Sequence, residues 1–428
     1  MSELTRANHP WKTAVLAGMA SYLDAGALVA AGIAVGALYA PALGLDAGSI
    51  GALLGLQTLM FAVGALFGGR LGDRFGRRRV FTLSMVAYAL GAALLTVATG
   101  PAVLYVGVVV IGLAVGADLP VSLAMINEEA PEGKKGTMVA FSQLLWIVGV
   151  LVPIGLSIVV GGMGAFGGRI LFGHLLVVSV IVLALRLTMR ESAEWTAARE
   201  RTDADEAAHA DTVHFSHVGQ LFRMPVLPAV IATALFYCFW NLGTNTFGQF
   251  GTFLWTNLTG GGVQTWSLAS LVGLVVGLGA ATIFMRMADR PARRTWFAVG
   301  AAFNVVAWAL PFVLGPTPLT LVAAFLLSVI GSSFAGEPIY KVWSQELVPT
   351  LLRSTNQGLT IAFARAIAAL FAFVTPALAV TSPRLLFGLI FVLTVVSMAI
   401  GLFWVPRLPS AREIEEPPVV VVDEGVTA

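Results

Sequence analysis

The stretch GGRLGDRFGRRR, residues 68–79, decides the fold, because a shortened copy of it occurs in the second half of the chain. The copy is MADRPARR, residues 287–294, and each stretch lies between two long apolar runs. The aspartates of the two stretches are 216 residues apart, and Glu128 and Glu346 repeat at an offset of 218. A random basic loop would not recur in register. We therefore infer that a unit of six spans has been duplicated, as in many secondary carriers.

The composition is that of a polytopic membrane protein. Hydrophobic residues make up 57% of the 428 and charged residues 11%, with a mean hydropathy of +0.87, whereas a soluble domain carries roughly a quarter charged residues. Twelve apolar stretches are each long enough to cross a hydrocarbon core of about 30 Å as a helix. The predicted fold class is an all-α membrane protein whose twelve transmembrane helices form two pseudo-symmetric six-helix bundles. The stretches lie near 14–39, 50–69, 79–98, 103–127, 137–160, 168–189, 226–256, 265–286, 295–314, 317–342, 355–380 and 384–405.

The distribution of basic residues predicts the orientation. Arg169 and Arg384 fall in loops of one face, and Lys341 and Arg365 fall within spans, while the other 21 of the 25 Lys and Arg lie on the face that holds both termini. By the positive-inside rule, both termini are expected in the cytoplasm of a multi-pass protein of the cell (plasma or inner) membrane. The basic residues follow the membrane surface instead of forming one stripe, so no nucleic-acid partner is expected.

A charged segment in the middle of the chain is interpreted as a solvated linker. It contains His209, Asp211, His214 and His217, and the spacing leaves open whether these residues bind a metal, although such spacing recurs by chance in polar tracts. No metal or cofactor is predicted. The predicted domains are an N-terminal bundle (1–189), a cytoplasmic linker (190–224), a C-terminal bundle (225–406) and a cytoplasmic tail (407–428).

The loop 68–79 combines glycines at a helix end with an acid and with arginines that can bind carboxylates and carbonyls. Such a loop can latch the cytoplasmic side and release it when the halves move. The alternative is that the arginines only enforce topology, but topology does not require the acid and the glycines at set positions. The predicted gating residues in this loop and its counterparts are Gly69, Gly72, Asp73, Arg74, Gly76, Arg77, Arg78, Glu128, Lys135, Asp289, Arg290, Arg293, Glu346 and Arg353.

This pattern resembles the signature loop of the major facilitator superfamily, whose form is close to G-x-L-G-D-R-x-G-R-R. Further matches resemble its sugar porter branch, and the stretch EPIYKVWSQELVPTLLRSTNQG looks most like bacterial inositol or polyol proton symporters. The resemblance implies the twelve-helix carrier fold with a substrate site between the halves. The matching residues are Glu128, Pro131, Lys135 and Gly136 after span 4, Gln143 and Gly149 in span 5, Glu191, Ser192 and Trp195 after span 6, and Glu346, Pro349 and Arg353 after span 10.

Two departures from the branch concern the substrate site. Phe239 and Trp240 replace two glutamines that bind sugar hydroxyls in the branch, although Gly243 and Asn245 match. Val108 stands where the branch has an arginine that partners the acid of span 1.

Asp24 and Asp118 are the predicted proton-coupling residues. Asp24 stands alone near the middle of span 1, where low dielectric favours a neutral carboxyl, and it matches the acid of proton-coupled sugar porters. The alternative for Asp24 is a hydrogen bond that packs two helices. Asp118 can share a proton with Asp24, or it can satisfy backbone N–H groups freed by a neighbouring Gly/Pro break.

Charged residues in the second half are predicted to line the substrate cavity. By resemblance, Lys341 and Arg365 occupy positions of cavity-facing aromatic residues, and Glu337 lies beside a helix break. The alternative is that Glu337 and Lys341, one helical turn apart, only form a salt bridge that stabilises span 10. The predicted substrate-binding residues are Gln143, Asn241, Asn245, Gln249, Glu337, Lys341 and Arg365.

The function predicted from the sequence is proton-coupled uptake of a sugar-like polyol, such as inositol, by alternating access. The main alternative is a proton symporter of sugar acids or other organic anions, in which Lys341 and Arg365 bind the carboxylate. A drug efflux antiporter is less favoured because the cavity of the second half is polar. No nucleotide loop, metal-ligand pair or nucleophile elbow indicates an enzyme. The expected partners are a small polar substrate, protons and the bilayer, and we expect a monomer.

Overall fold

The fold is described by a computed structural model that covers residues 9–131, 135–192, 196, 221–287, 292–348 and 353–410. Within these ranges the regular secondary structure is helical, without strands, and turns and bends connect the helices. Eleven of the described helices are long and apolar enough to cross a membrane, and the fifth helix contains the shorter apolar run Leu144–Val160. The all-α, twelve-helix fold class is thereby confirmed.

The twelve spanning helices follow the apolar stretches closely. Helix α1 continues through a π-helix, Ala34–Tyr39, and a short helix, Ala40–Leu43, and α12 continues through a π-helix, Ile400–Trp404. A separate short helix, Glu337–Glu346, follows α10. The spanning helices are α1 (Pro10–Ile33), α2 (Ala47–Phe75), α3 (Arg77–Thr96), α4 (Pro101–Glu129), α5 (Lys135–Val160), α6 (Ala165–Arg186), α7 (Leu227–Thr259), α8 (Val263–Met287), α9 (Arg293–Leu314), α10 (Pro318–Phe334), α11 (Arg353–Thr381) and α12 (Pro383–Ala399).

Local signals in the sequence fix several helix starts. Prolines occupy the first turn of α1, α4, α10 and α12, where a backbone N–H needs no partner. Asp46 caps α2, because its Oδ1 accepts a hydrogen bond of 2.7 Å from the Ser49 amide. Hydrogen bonding by the hydroxyl and then the amide of Ser49 holds the pKa of the Asp46 carboxyl below its ordinary value. Thr317 and Thr320 form a capping box at the start of α10.

Within each half of the chain the helices pack closely against one another. In the first half, α4 packs against α1, α2 and α3, and in the second half α9 packs against α10 and α12. Glycines permit the closest approaches: a Cβ atom at Gly116 of α4 would lie 2.1 Å from the Phe61 carbonyl oxygen of α2, and one at Gly331 of α10 would lie 2.8 Å from the Gly300 carbonyl oxygen of α9. Bare backbone at such positions is a common way for membrane helices to pack.

The two halves meet along three helix pairs, α1 with α7, α2 with α11 and α5 with α8. The Ser157 and Ser267 hydroxyls lie 2.7 Å apart between α5 and α8. Gln249 Nε2 of α7 donates to the Leu54 carbonyl oxygen and to Thr58 Oγ1 of α2, at 3.1 and 3.2 Å. These contacts lie in the helix portions remote from the N-terminal end of α1. The halves are therefore joined on the side away from that end.

The predicted domain boundaries stay a prediction. Most of the predicted linker and nearly all of the predicted tail lie outside the described residues, and so does the His209–His217 cluster. Among the residues that the structure describes, no group of three or more His, Cys, Asp or Glu is placed to hold a metal ion.

Candidate substrate and proton site

A cavity of about 370 Å³ lies between the halves. It is bounded by α1 and α5 of the first half and by α7, α8 and α10 of the second. Hydroxyl groups and indole N–H groups in such a wall can bond a ligand rich in hydroxyls, while the rings pack on its C–H faces. Its walls include the aromatic residues Trp146, Trp240, Phe247, Trp266 and Phe325, the hydroxyl residues Thr244, Thr252, Ser267, Ser270, Ser328, Ser332 and Ser333, and the carboxylate of Glu337.

Asp24 is buried in α1 directly behind a wall residue of this cavity. Trp146 Nε1 donates to Asp24 Oδ2 at 3.3 Å, and Trp146 itself lines the cavity. Asp24 Oδ1 is buried and has no hydrogen-bond partner among the described residues. Val108, at the position of the missing arginine, is wholly buried. The hydrogen bond to the Asp24 carboxyl thus comes from a neutral donor, and the second carboxyl oxygen is available for another bond.

Asp118 of α4 lies in a buried network that joins three helices of the first half. It forms an ion pair with Arg186 of α6 at 2.7 Å between Oδ1 and Nη1, and the Arg186 side chain is wholly buried. Ser84 Oγ donates to the same Asp118 oxygen at 3.0 Å. These contacts join α3, α4 and α6 at Asp118, and a role of Asp118 in proton coupling stays a prediction.

Glu337 and Lys341 form a salt bridge, which was the alternative to a role in the cavity wall. Glu337 Oε1 lies 2.8 Å from Lys341 Nζ, and the two side chains are 40% and 43% exposed. Helix α10 ends at Phe334 and the short helix begins at Glu337, so the pair starts at a break in the span. Because Glu337 also lines the cavity, the pair forms a polar part of its edge.

Arg365 of α11 has no salt-bridge or hydrogen-bond partner among the described residues. Its guanidinium lies over the Phe61 ring of α2, 4.9 Å from the ring centroid, and its buried Nε has no hydrogen-bond partner. Its charge interacts electrostatically with the carboxyls of Asp24 and Glu337. The second half thereby presents an unpaired cation to the first half.

The predicted amide residues divide into two groups. Asn241 is buried and its Oδ1 has no hydrogen-bond partner among the described residues, which suits a ligand contact. Gln249, by contrast, uses its amide to join α7 to α2, and Asn245 Nδ2 donates to Gln249 Oε1 at 3.3 Å. In this conformation Gln249 therefore joins the halves, and its contact with substrate stays a prediction. The side chain of Gln143 lies outside the described residues.

The predicted gating residues form matching ion pairs in the two halves. Arg77 Nη2 lies 3.0 Å from Glu128 Oε1, and Arg293 binds both carboxylate oxygens of Glu346 at 2.7 and 2.9 Å. The two pairs occupy equivalent positions of the sequence repeat, so the repeat extends to side-chain contacts.

Hydrogen bonds of backbone amides fix the connection between α2 and α3. Gly76 has a φ of 95°, which favours glycine, and its N–H donates to the Gly72 carbonyl oxygen at 3.2 Å. The Arg78 amide donates to Glu191 after α6 at 3.0 Å. The remaining predicted gating positions lie outside what the structure describes: the side chains of Asp73, Arg74, Lys135 and Arg353, the surroundings of Gly69, and the whole of Asp289 and Arg290.

Comparison with known proteins gives the same architecture. The family profile described as Major Facilitator Superfamily matches residues 14–373. The chain belongs to the major facilitator superfamily. Proteins of this family are transporters and not enzymes, and the many apolar helices make the chain a multi-pass protein of the cell membrane.

Curated relatives of this superfamily member are transporters of small molecules. The minor myo-inositol transporter IolF of Bacillus subtilis (strain 168) is 32% identical over 417 residues, which cover 95% of this chain and 92% of IolF. The arabinose-proton symporter of the same organism is 24% identical, with 70% and 71% of the two chains covered.

Solved structures of low sequence identity share the superfamily fold. A D-xylose-proton symporter superposes with a TM-score of 0.74 at 16% identity, covering 91% of this chain and 97% of the symporter. The inward open conformation of the xylose transporter XylE from E. coli gives a TM-score of 0.72 at 16% identity, with 94% and 97% covered.

Several residues that the structure brings into the site or its surroundings were not predicted from the sequence. Arg186 was counted among the cytoplasmic arginines because it lies at the end of a span. Trp146 and the Ser157–Ser267 contact gave no sequence signal, because each belongs to an apolar helix and its partner is more than 100 residues away. Packing of α1 against α5 brings Trp146 to Asp24, and packing of the two halves brings Ser157 to Ser267.

Proposed function

We propose that this protein carries out proton-coupled uptake of a sugar-like polyol, such as inositol, by alternating access. The observation that carries the proposal is the cavity between the halves, where hydroxyl groups and tryptophan rings surround a space of about 370 Å³. The identity with an inositol transporter over nearly the whole chain supports this substrate class.

The charges around the cavity support proton coupling. Asp24 comes from the first half, while Glu337, Lys341 and Arg365 come from the second. When Asp24 is ionised, the charges of these four groups sum to zero. When Asp24 binds a proton, the positive charge of Arg365 is no longer balanced. Protonation of Asp24 therefore changes the attraction between the halves, which is what coupling requires.

The contacts between the halves support an alternating-access cycle. The Ser157–Ser267 contact and the Gln249 bonds close the side away from the N-terminal end of α1. With both termini in the cytoplasm, as proposed from the basic residues, this side is extracellular. Transport then requires these contacts to separate while the face with the Arg77–Glu128 pair closes.

A second candidate function is the symport of a proton with an organic anion such as a sugar acid. The observation that favours it is Arg365, which has no ion pair among the described residues. Within the spans the sequence has three acids, Asp24, Asp118 and Glu337, but only the two bases Lys341 and Arg365, and an excess of acid would disfavour an anion. Since Asp118 is matched by Arg186, that count no longer leaves an excess of acid near the cavity.

Purified protein in proteoliposomes tests both candidates. Labelled myo-inositol, glucose and glucuronate are offered with and without an inward pH gradient. We expect accumulation of inositol above equilibrium only with the gradient. Gradient-driven accumulation of glucuronate alone supports the anion symporter, and the absence of accumulation of all three compounds contradicts both candidates.

A further inference from the structure

A second large cavity lies on the outside of the first half. It has a volume of about 810 Å³ and is a groove between α3, α5 and α6. Val97, Phe166 and Val177 on its walls are 63%, 61% and 58% exposed, so it opens away from the bundle toward the lipid. The groove residues are Thr96, Val97, Thr99, Leu156, Phe166, Arg169, Ile170, Gly173, His174, Val177 and Val178.

The groove has the dimensions of a lipid chain. Its residues on α6 run from Phe166 to Val178, which is about 18 Å at 1.5 Å per residue. One leaflet of the hydrocarbon core is about 15 Å thick. Gly173 deepens the groove where α6 passes α3, because a Cβ atom there would meet only Thr96 Cγ2, at 3.7 Å.

Arg169 is the cationic group in this groove, and it has no counter-ion. Its buried Nε has no hydrogen-bond partner, and among the described residues it forms no ion pair. Its charge reaches the Tyr39 hydroxyl, but that group is neutral and donates to the Leu95 carbonyl oxygen at 2.7 Å. An arginine at the membrane is stabilised by an anion, and the guanidinium fits a phosphate.

The other polar groups of the groove do not compete for an anion. His174 Nδ1 lies 2.5 Å from the Leu171 carbonyl oxygen, so Nδ1 carries the proton and Nε2 of the neutral ring cannot donate. Thr96 Oγ1 donates to the Ala92 carbonyl oxygen at 2.7 Å. Arg169 is therefore the charged group of the groove that can bind an anion.

We propose that this groove binds one phospholipid, with the phosphate at Arg169 and an acyl chain lying along α6 toward Val178. The carbon-lined walls suit the chain, and the unpaired guanidinium at one end suits the phosphate. The site is on the outer face of one half and is separate from the transport cavity.

Native mass spectrometry of the whole protein, extracted in mild detergent and titrated with phosphatidylglycerol, tests the proposal. We expect one lipid to bind at least tenfold more tightly than the following ones, and Arg169→Gln to abolish this difference. Arg384→Gln is the matched control, because Arg384 is an exposed arginine at the start of α12, and it should leave the tight lipid in place. Arg169→Lys keeps the charge and should retain most of the binding.

Three further measurements separate the possible sources of binding. Gly173→Leu fills the groove while leaving the charge of Arg169 in place, and it should also remove the tight lipid. A diacylglycerol with the same chains should bind at least tenfold more weakly, and inorganic phosphate should not displace the phospholipid. Equal lipid retention by wild type and Arg169→Gln overturns the proposal, as does equal binding of diacylglycerol or displacement by phosphate.

Discussion

Arg186 and Asp118 form a buried ion pair between α6 and α4, and its burial predicts a large loss of stability when one partner is removed. Arg186→Met leaves a buried carboxylate without its partner, so we expect the free energy of unfolding to fall by about 3–5 kcal/mol. The double variant Arg186→Met/Asp118→Leu removes both charges and should recover most of that loss. The measurement is denaturant unfolding in detergent micelles.

The exposed pair in the second half is the matched control. Arg293 and Glu346 are 31% and 45% exposed at their side chains, so Arg293→Met should cost only about 0–1 kcal/mol. An equal loss for Arg186→Met and Arg293→Met would show that burial does not set the strength of these pairs.

Lys341 has an ion-pair partner and Arg365 has none among the described residues, and this difference predicts their effects on substrate binding. Lys341 is neutralised by Glu337, whereas Arg365 has no ion pair among the described residues. For a carboxylate substrate, Arg365→Gln should weaken binding by roughly 2–5 kcal/mol, and by more than Lys341→Gln does. For a neutral polyol, either change should cost about 0.5–1.5 kcal/mol, as for an ordinary hydrogen bond.

Dissociation constants of myo-inositol and glucuronate for both variants, measured by isothermal titration calorimetry, check this prediction. Arg384→Gln serves as the control for a loss of positive charge far from the cavity. If neither Arg365→Gln nor Lys341→Gln changes the affinity for a transported compound, the two residues do not belong to the substrate site.

At the scale of single residues, the sequence predicts charges better than it predicts their partners. An ionisable residue inside an apolar span is visible in the sequence, and Asp24, Glu337 and Arg365 were found in that way. The partner of Asp118 was not found, because Arg186 lies 68 residues away on another helix. Gln249 was assigned to the substrate by its polarity, but only the packing of the halves shows that its amide binds α2.

The junction of α2 and α3, residues 68–79, is the element for which we predict a gating role. Its Arg77–Glu128 pair is mostly buried, with side chains 12% and 16% exposed. Glu128→Gln keeps the shape and removes the charge, and we expect the turnover rate to fall roughly tenfold, which corresponds to about 1.4 kcal/mol in the barrier. Substrate affinity should remain nearly unchanged, because the pair lies outside the cavity.

The equivalent variant Glu346→Gln in the second half is the internal comparison, and its effect should be smaller because that pair is more exposed. Asp73→Asn, at the end of α2 and four residues before Arg77, is also expected to slow turnover without a change in affinity. Initial uptake rates over a range of substrate concentrations separate the two quantities. A fall in affinity at constant turnover would assign these residues to binding.

At the scale of helices, the sequence predicts the spans almost completely. Each apolar stretch became a helix, since a bilayer leaves the backbone no other way to satisfy its polar groups within one segment. The break between Phe334 and Glu337 was expected only from a family resemblance. The π-helical turns in α1 and α12 were not predicted, because hydropathy does not distinguish them from an ordinary helix.

For the molecule as a whole, the Ser157–Ser267 contact predicts a reversible block of transport. The hydroxyls are 2.7 Å apart across α5 and α8, so Ser157→Cys/Ser267→Cys should form a disulfide in the resting protein. The variant is made with Cys238→Ala, because Cys238 is the single native cysteine. Oxidation should stop uptake and a reductant should restore it, whereas Ser157→Cys with Cys238→Ala should not respond.

Gel mobility after cleavage in the 190–224 segment reports the disulfide, and uptake reports its effect. A cross-linked protein that still transports at the full rate would contradict alternating access about the contact between α5 and α8.

The central claim is that Asp24 couples substrate movement to protons, and one measurement tests it most directly. Wild type and Asp24→Asn are reconstituted, and labelled inositol is followed with an inward pH gradient and, separately, in counterflow without one. The amide keeps an oxygen for the Trp146 bond but cannot carry the proton. We predict that Asp24→Asn loses gradient-driven accumulation while counterflow continues, and unchanged accumulation by Asp24→Asn would contradict the account.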